Sequence, residues 1–176
     1  GGRGAARALP YGSIVHPVNL GSGGGSNPGG GALYLVVTGD TEVDGNIIAD
    51  GEIINNNNHY TGAGGSVFLR TGTISGSGTI AANGGAGIYH TKGSGGRIAV
   101  VLEQGGADFA SFTGSITAYG ATANSDNKSA AGTVYLELPT DTPGQGELIV
   151  DNNDVVTLID LYTDLAVIRK QLRVFG

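Results

Sequence analysis

Residues 78–84 read GTIAANG, and three similar phrases recur along the chain. They read GNIIADG at 45–51, GSITAYG at 114–120 and GELIVDN at 146–152, each with apolar residues at alternate positions after an opening glycine. The opening glycines are 33, 36 and 32 residues apart. A fixed period of this length is typical of stacked structural units, so the sequence predicts a repeat architecture.

A second marker keeps the same period. A pair of small residues precedes alternating apolar residues in GGALYL at 30–35, GGSVFL at 64–69, GGRIAV at 95–100 and AGTVYL at 131–136. Alternation with a period of two predicts strands, and aligning the copies predicts two apolar columns that form the core. The columns are Leu33, Val67, Ile98 and Val134, and Leu35, Leu69, Val100 and Leu136. A third column takes one residue from each of the four GTIAANG-like phrases: Ile47, Ile80, Ile116 and Leu148.

The opposite face of these strands carries a partly aromatic column of Tyr34, Phe68, Ala99 and Tyr135. It forms either a stacked ladder on the surface or a second packed layer. We favour packing, because aromatic side chains are large apolar groups first.

Strands that repeat without helices between them predict an all-β fold. A parallel β-helix (solenoid) of about four coils with glycine-rich corners keeps all columns in register, with strands ~4.8 Å apart. The alternative is a β-sandwich built from strand pairs. We divide the chain into an N-terminal partial rung and Gly/Ser loop (1–29), β-helical repeats (30–154), and a terminal segment that caps or continues the stack (155–176). The terminal segment fits a helical stripe or a strand pair, and we favour strands.

The composition excludes several classes of function. The chain has 34 glycines, only 14% charged residues and a net charge of −6, so it lacks the basic surface that nucleic-acid binding needs. It has no cysteine for disulfides or thiolate metal sites. It also lacks the ~18-residue apolar run of a membrane-spanning helix. Because it begins with Gly1-Gly2, we expect a processed product or a segment of a longer chain.

Several stretches resemble the glycine-rich β-helical repeat regions of very large secreted bacterial surface proteins, of the adhesin or autotransporter-passenger type. They are YGSI at 11–14, LGSGGG at 20–25, GTISGSGTIAANGGAG at 72–87 and GGRIAV at 95–100. The resemblance implies an extracellular or cell-surface location and a structural or adhesive role. It carries over no catalytic residue.

A polar loop follows each phrase, and all the loops fall at the same point of the period, so we expect them to project from one side. Insertions on one face of a solenoid often form a binding surface. The candidate binding residues, with glycans as possible ligands, are Asn57, His59, Tyr60, Tyr89 and His90. An uncapped stack would also recruit other strands at its ends. The expected partners are therefore further copies of the chain or flanking repeats of a longer chain.

Chemical activity is weakly indicated. Asp40, Glu42 and Asp44 lie on one strand face, with Asp50 and Glu52 nearby, but we favour a solvated outer face over a carbohydrate-cleaving carboxylate pair. Residues 151–154 and 125–127 offer oxygen ligands without a known calcium frame, and His59 and His90 lack a third zinc ligand. We expect no enzymatic activity and no bound cofactor, with calcium binding as the open alternative.

The sequence therefore predicts an extracellular structural module that assembles into a filament or forms part of a long surface stalk. The alternatives are an adhesion or glycan-binding module and, less favoured, a polysaccharide-acting enzyme.

Overall fold

The computed structural model describes residues 11–24, 27–52, 61–87, 92–123, 127–153 and 171–175. None of these residues lies in a helix, so the predicted all-β class is confirmed. The strands are β1 Ala32–Val36, β2 Asp40–Glu42, β3 Asn46–Ile48, β4 Ser66–Thr71, β5 Thr73–Ser75, β6 Thr79–Ala81, β7 Arg97–Leu102, β8 Ser115–Thr117, β9 Thr122–Ala123, β10 Asn127–Lys128, β11 Thr133–Glu137, β12 Glu147–Asp151 and β13 Gln171–Phe175.

The strands pair mainly between repeats rather than within them. The main sheet has the order β1-β4-β7-β11-β12-β13, and its first four strands are parallel. A second parallel sheet has the order β3-β6-β8, and β2 pairs in parallel with β5. β9 and β10 form a small antiparallel pair. Each of the first three repeats (30–63, 64–94 and 95–130) thus adds one strand to each of the two larger sheets.

The register confirms the two core columns predicted on the first strand of each repeat. Leu33 lies beside Val67, Val67 beside Ile98, and Ile98 beside Val134. The parallel column from Leu35 to Leu136 is aligned in the same way. These side chains pack in one apolar cluster with the other sheet's Ile47, Ile80 and Ile116. Like residues stacked at each repeat therefore bury one another, as the period required.

The glycine pairs allow the two sheets to meet closely at one corner. A Cβ atom added to Gly30, Gly64 or Gly95 would lie 1.9, 2.1 or 1.9 Å from the carbonyl oxygen of Ala49, Ala82 or Ala118, respectively. That distance is a collision with backbone, so these positions exclude any side chain. Each of the three carbonyls also accepts a hydrogen bond, 2.7 Å long, from the second glycine of the next pair: Gly65, Gly96 and Gly132.

The fourth repeat (131–154) departs from the prediction. Its phrase forms β12, which pairs antiparallel with β11 and places Leu148 opposite Tyr135. Assigning Leu148 to the column of Ile47, Ile80 and Ile116 was therefore wrong. The chain reverses through a turn in which the Asp141 amide donates to the Leu138 carbonyl at 2.9 Å, and Gly144 has a φ of 77°. Glycine is favoured at such a φ because it has no Cβ.

The N-terminal segment takes a path that the repeat pattern did not predict. Residues 11–20 carry no described strand and lie against the outer face of the main sheet, where Ile14 and Val15 pack against Phe68, Ala99 and Tyr135. We call residues 11–20 the strap. It stands where an incoming partial rung was expected, and its own apolar residues explain the different path, since they cover the second face of the sheet.

In the terminal segment, β13 pairs in parallel with β12, which agrees with the preference for strands at 171–175. The remainder of the predicted helical stripe, from Leu158 to Ile168, lies outside the described residues.

Candidate functional site

The first repeat presents an edge on which three strands lack a neighbour. Among the described strands, β1 pairs only with β4, β2 only with β5, and β3 only with β6. We call β1, β2 and β3 together the first edge. The Val37 amide donates to the Arg70 carbonyl at 2.8 Å, so, by the alternation of strand amides, the Tyr34 and Val36 amides point away from β4. Strand amides without a partner among the described residues are a template for another strand.

Apolar side chains accompany the unpaired amides at the first edge. Tyr34, Val36 and Ile48 are 52%, 51% and 55% exposed. Leu33 and Leu35 are only partly buried, whereas Val67 and Leu69 beside them in the next repeat are fully buried. The core columns therefore reach solvent at this edge.

The aromatic column is a packed layer over most of its length. Phe68, Ala99 and Tyr135 are buried beneath the strap, which agrees with the preference for packing. Tyr34 stacks on Phe68 with ring centroids 5.0 Å apart and planes 11° from parallel. Tyr34 remains half exposed, so the aromatic column ends at the first edge in a ring that reaches solvent.

The carboxylates considered for catalysis connect the first repeat to the second. Asp40 accepts a hydrogen bond from the Thr73 hydroxyl at 2.7 Å, Asp44 accepts one from the Ser77 amide at 3.0 Å, and Asp50 accepts one from the Asn83 amide at 2.6 Å. Each donor is 33 residues after its acceptor. These three side chains thus have a stacking role, and Glu42 is exposed to solvent.

The acceptor column begun by Asp50 continues through the stack and is closed at its far end. Asn83 accepts a hydrogen bond from the Tyr119 amide at 2.8 Å. Asn152, which is buried, accepts one from the Gly120 amide at 2.8 Å, although it enters from the reversed strand β12. Its side-chain amide also donates to the Ser129 carbonyl at 2.9 Å. Asn152 therefore supplies hydrogen-bond partners to the third repeat at the point where the regular stacking stops.

The reversed strand is fixed by a buried tyrosine. The Tyr135 hydroxyl donates to Glu137 and accepts from the Gly146 amide at 2.7 Å. Glu137 also accepts from the Gly144 amide at 2.7 Å. Burial, together with the hydrogen bond to Glu137, raises the pKa of Tyr135 well above its ordinary value. The hydroxyl therefore stays protonated and holds both ends of the turn.

The described bases of the polar loops lie together at one corner of the fold. The prediction that the loops project from one side concerns residues 53–60, 88–91 and 124–126, which lie outside the described residues. The Ala63 amide donates to the Ser22 carbonyl at 2.9 Å, the Gly85 amide to the Gly62 carbonyl at 2.9 Å, and the Ala121 amide to the Gly93 carbonyl at 3.0 Å. The bases of the N-terminal Gly/Ser loop and of the loops after the first three phrases thus stack on one another. All five predicted binding residues, Asn57, His59, Tyr60, Tyr89 and His90, lie outside the described residues.

Lys92 lies at the base of one of these loops. Its side chain is buried and its amino group donates to the Gly87 carbonyl. Burial lowers the pKa of Lys92. The Lys92 carbonyl in turn accepts from the Ser129 hydroxyl at 2.6 Å, so this residue ties two loop bases together.

Metal binding gains no support from the part of the chain that the structure describes. No group of three or more His, Asp or Glu side chains there could hold a metal ion. Within the calcium candidates, Asp151 accepts a hydrogen bond from the Asn153 amide at 2.7 Å and Asn152 closes the acceptor column. Asp154, Ser125 and Asp126 lie outside the described residues.

The contacts between the strap and the main sheet involve residues that the sequence reasoning missed. His16 lies 4.5 Å from the Phe68 ring and 5.4 Å from the Tyr34 ring. The Arg97 guanidinium lies 5.2 Å from the centre of the Tyr11 ring, and the Ser66 hydroxyl donates to the Asn19 carbonyl at 2.6 Å. One signal was available: Arg97 is a large cation in a register otherwise occupied by the small residues Ala32, Ser66 and Thr133.

Comparison with known proteins adds no relative: no protein-family model, curated protein or solved structure matches this chain. Among the described residues, no helix has the length and apolar character needed to cross a membrane.

Proposed function

We propose that the chain is a non-enzymatic extracellular structural module, built as a parallel β-helix whose coils are the repeats. In this proposal it joins further β-coils and forms a filament or part of a long surface stalk. The in-register parallel pairing of three successive repeats in two sheets supports the architecture. The resemblance to β-helical regions of secreted surface proteins supports the location and the role.

The first edge is the proposed joining surface, and this single observation carries the function. It combines strand amides without a described partner, the exposed ends of the core columns and the half-exposed ring of Tyr34. A further coil would cover all three at once, with new strands ~4.8 Å from β1, β2 and β3. The expected occupant for the isolated protein is a second copy, and in a longer chain it would be a neighbouring coil.

We expect self-association through the first edge to depend on salt concentration. Asp40, Glu42 and Asp44 lie along the first edge in the first repeat, and the whole chain has a net charge of −6. Like charges repel copies that approach by this edge, and salt screens that repulsion over about 8–10 Å at moderate ionic strength. Self-association should therefore increase as sodium chloride is raised.

The decisive variant is Val36→Pro. The Val36 amide points away from β4, so proline removes a donor for a new strand without removing an internal hydrogen bond. Sedimentation velocity and negative-stain microscopy should show self-association that increases with concentration for the wild type and for Val36→Ala. Val36→Pro should stay folded and monomeric. A wild type that remains monomeric at high concentration and high salt would count against self-assembly.

The second candidate function is an adhesion or glycan-binding module. The stacked loop bases favour it, because they place the described ends of the loops that contain Tyr60 and Tyr89 at one corner. Glycan-array binding by the wild type that is lost in Tyr60→Ala/Tyr89→Ala would support this function. Retained binding in that variant would locate any glycan site elsewhere.

A further inference from the structure

Two buried polar atoms beneath the strap lack hydrogen-bond partners. They are Arg97 Nε and Thr133 Oγ1, and neither has a partner within the described part of the chain. Arg97 and Thr133 are register neighbours on β7 and β11, on the face that the strap covers. Thr133 is only 5% exposed. Buried polar groups are normally satisfied, so an adjacent pair of orphans indicates a ligand or water that they share.

Arg97 also has no carboxylate partner among the described residues. The described arginines that form ion pairs are Arg70, with Glu103, and Arg173, with Glu147. Burial lowers the pKa of Arg97, and the Tyr11 side chain, which hydrogen-bonds the guanidinium and places its ring centre 5.2 Å away, acts in the opposite direction without supplying a full negative charge. A partly buried cation without an anionic partner is costly, and a bound anion would offset that cost.

We propose that Arg97 Nε–H and the Thr133 hydroxyl bind a small monovalent anion, of the size of chloride, beneath the strap. Both groups can donate a hydrogen bond, so the shared ligand must be an acceptor, and the arginine charge selects a negative one over water. A Cβ at Gly12 would lie only 3.1 Å from Arg97 Nη2, so the strap backbone approaches the guanidinium closely. This crowding disfavours a phosphate or sulfate, whose several oxygens would each need a donor.

The bound anion would lie beneath the strap, at the third and fourth repeats, and would be held by donors of the main sheet. The strap itself is held by the Ser66–Asn19 hydrogen bond and by His16 against Phe68. The site is independent of the proposed assembly at the first edge, because β7 and β11 are separated from β1 by β4.

Chloride-35 NMR tests the site directly. The wild type in sodium chloride should broaden the chloride line in excess of a protein-free sample, and sodium bromide should compete that excess away. Thr133→Val, which loses a hydroxyl without a hydrogen-bond partner among the described residues, should fold and lose the excess width. Arg70→Gln removes an exposed, paired arginine and serves as the matched control, so it should retain it. No excess broadening by the wild type, or full retention of it in Thr133→Val, would overturn the proposal and leave water as the shared partner.

Thermal unfolding at constant ionic strength gives a second readout. Replacing sodium gluconate by sodium chloride at tenfold the dissociation constant should raise the wild-type Tm by about 3–6 °C. Thr133→Val should show no chloride-specific shift, and in gluconate it should be as stable as the wild type or more so, since it removes an unsatisfied hydroxyl. Equal Tm values for the wild type in the two salts would contradict anion binding.

Discussion

The first and fourth repeats share a sequence pattern and meet opposite fates. In the first repeat, β1 and β3 stay in separate parallel sheets and their outer edges lack a described neighbour. In the fourth, the corresponding phrase folds back as β12, covers the edge of β11, and is itself paired by β13. A repeat pattern therefore specifies parallel pairing with the preceding repeat only where the glycine corner forms, and the first and last repeats are physically different.

The largest expected contrast is in the core column shared by Leu69 and Leu35. Leu69→Ala should lower the free energy of unfolding by about 2–5 kcal/mol, because it leaves a cavity at a fully buried site. Leu35→Ala, in β1 of the first edge, should cost about half as much, since water reaches the site. Urea unfolding of dilute samples measures both. Equal costs would mean that the first edge is covered even in the monomer.

The corner glycines give the next contrast. Gly95→Ala should destabilise the fold by about 1–3 kcal/mol or more, because the new Cβ collides with the Ala118 carbonyl. Ala131 occupies the equivalent position of the fourth repeat and already has a Cβ. Ala131→Gly should change stability by only about 0.5–1 kcal/mol, through backbone entropy. A Gly95→Ala variant as stable as the wild type would refute the close corner.

The ends of the acceptor column should also differ. Asn152→Ala leaves the buried Gly120 amide without its acceptor and should cost about 1–3 kcal/mol. Asp50→Ala removes the acceptor of the Asn83 amide at the first edge, where water can replace it, and should cost about 0.5–1.5 kcal/mol. Chemical denaturation compares the two. A larger cost for Asp50→Ala would reverse the assignment of the closed end.

The smallest effect is a pH dependence from the reversed strand. Because the pKa of Tyr135 is raised in the folded protein, the folded state holds a proton that the unfolded state loses above pH ~10. The tyrosine's contribution is therefore fully present below that pH and is lost as pH rises further. Tyr135→Phe should show a shallower alkaline loss of stability than the wild type, measured by unfolding between pH 8 and about 11. Identical slopes would exclude Tyr135 as the cause.

Periodicity predicted much of the fold because apolar columns depend only on spacing. The columns from Leu33 to Val134 and from Leu35 to Leu136 follow from strands of period two stacked at a constant interval. The reversal depends instead on local chemistry that the alignment treated as variation. Ala131 replaces a corner glycine, and Pro139 and Pro143 occupy the connector before β12. In hindsight, these three substitutions mark the place where the corner opens and the turn forms.

The strap and the candidate site were less accessible to sequence reasoning. No repeat marker covers residues 11–20, and their place on the main sheet depends on long-range packing of Ile14 and Val15. The stacking role of Asp40, Asp44 and Asp50 was hidden for a related reason. A carboxylate that accepts a hydrogen bond one repeat later looks, in sequence, like any exposed acid.

Hydrogen–deuterium exchange as a function of protein concentration tests most directly whether the first edge is the joining surface. The Tyr34 and Val36 amides should exchange rapidly in dilute samples and become protected as assemblies form, while the β12 amides remain equally protected at every concentration. Assembly that leaves Tyr34 and Val36 unprotected, or that adds protection only at β12 and β13, would contradict the account.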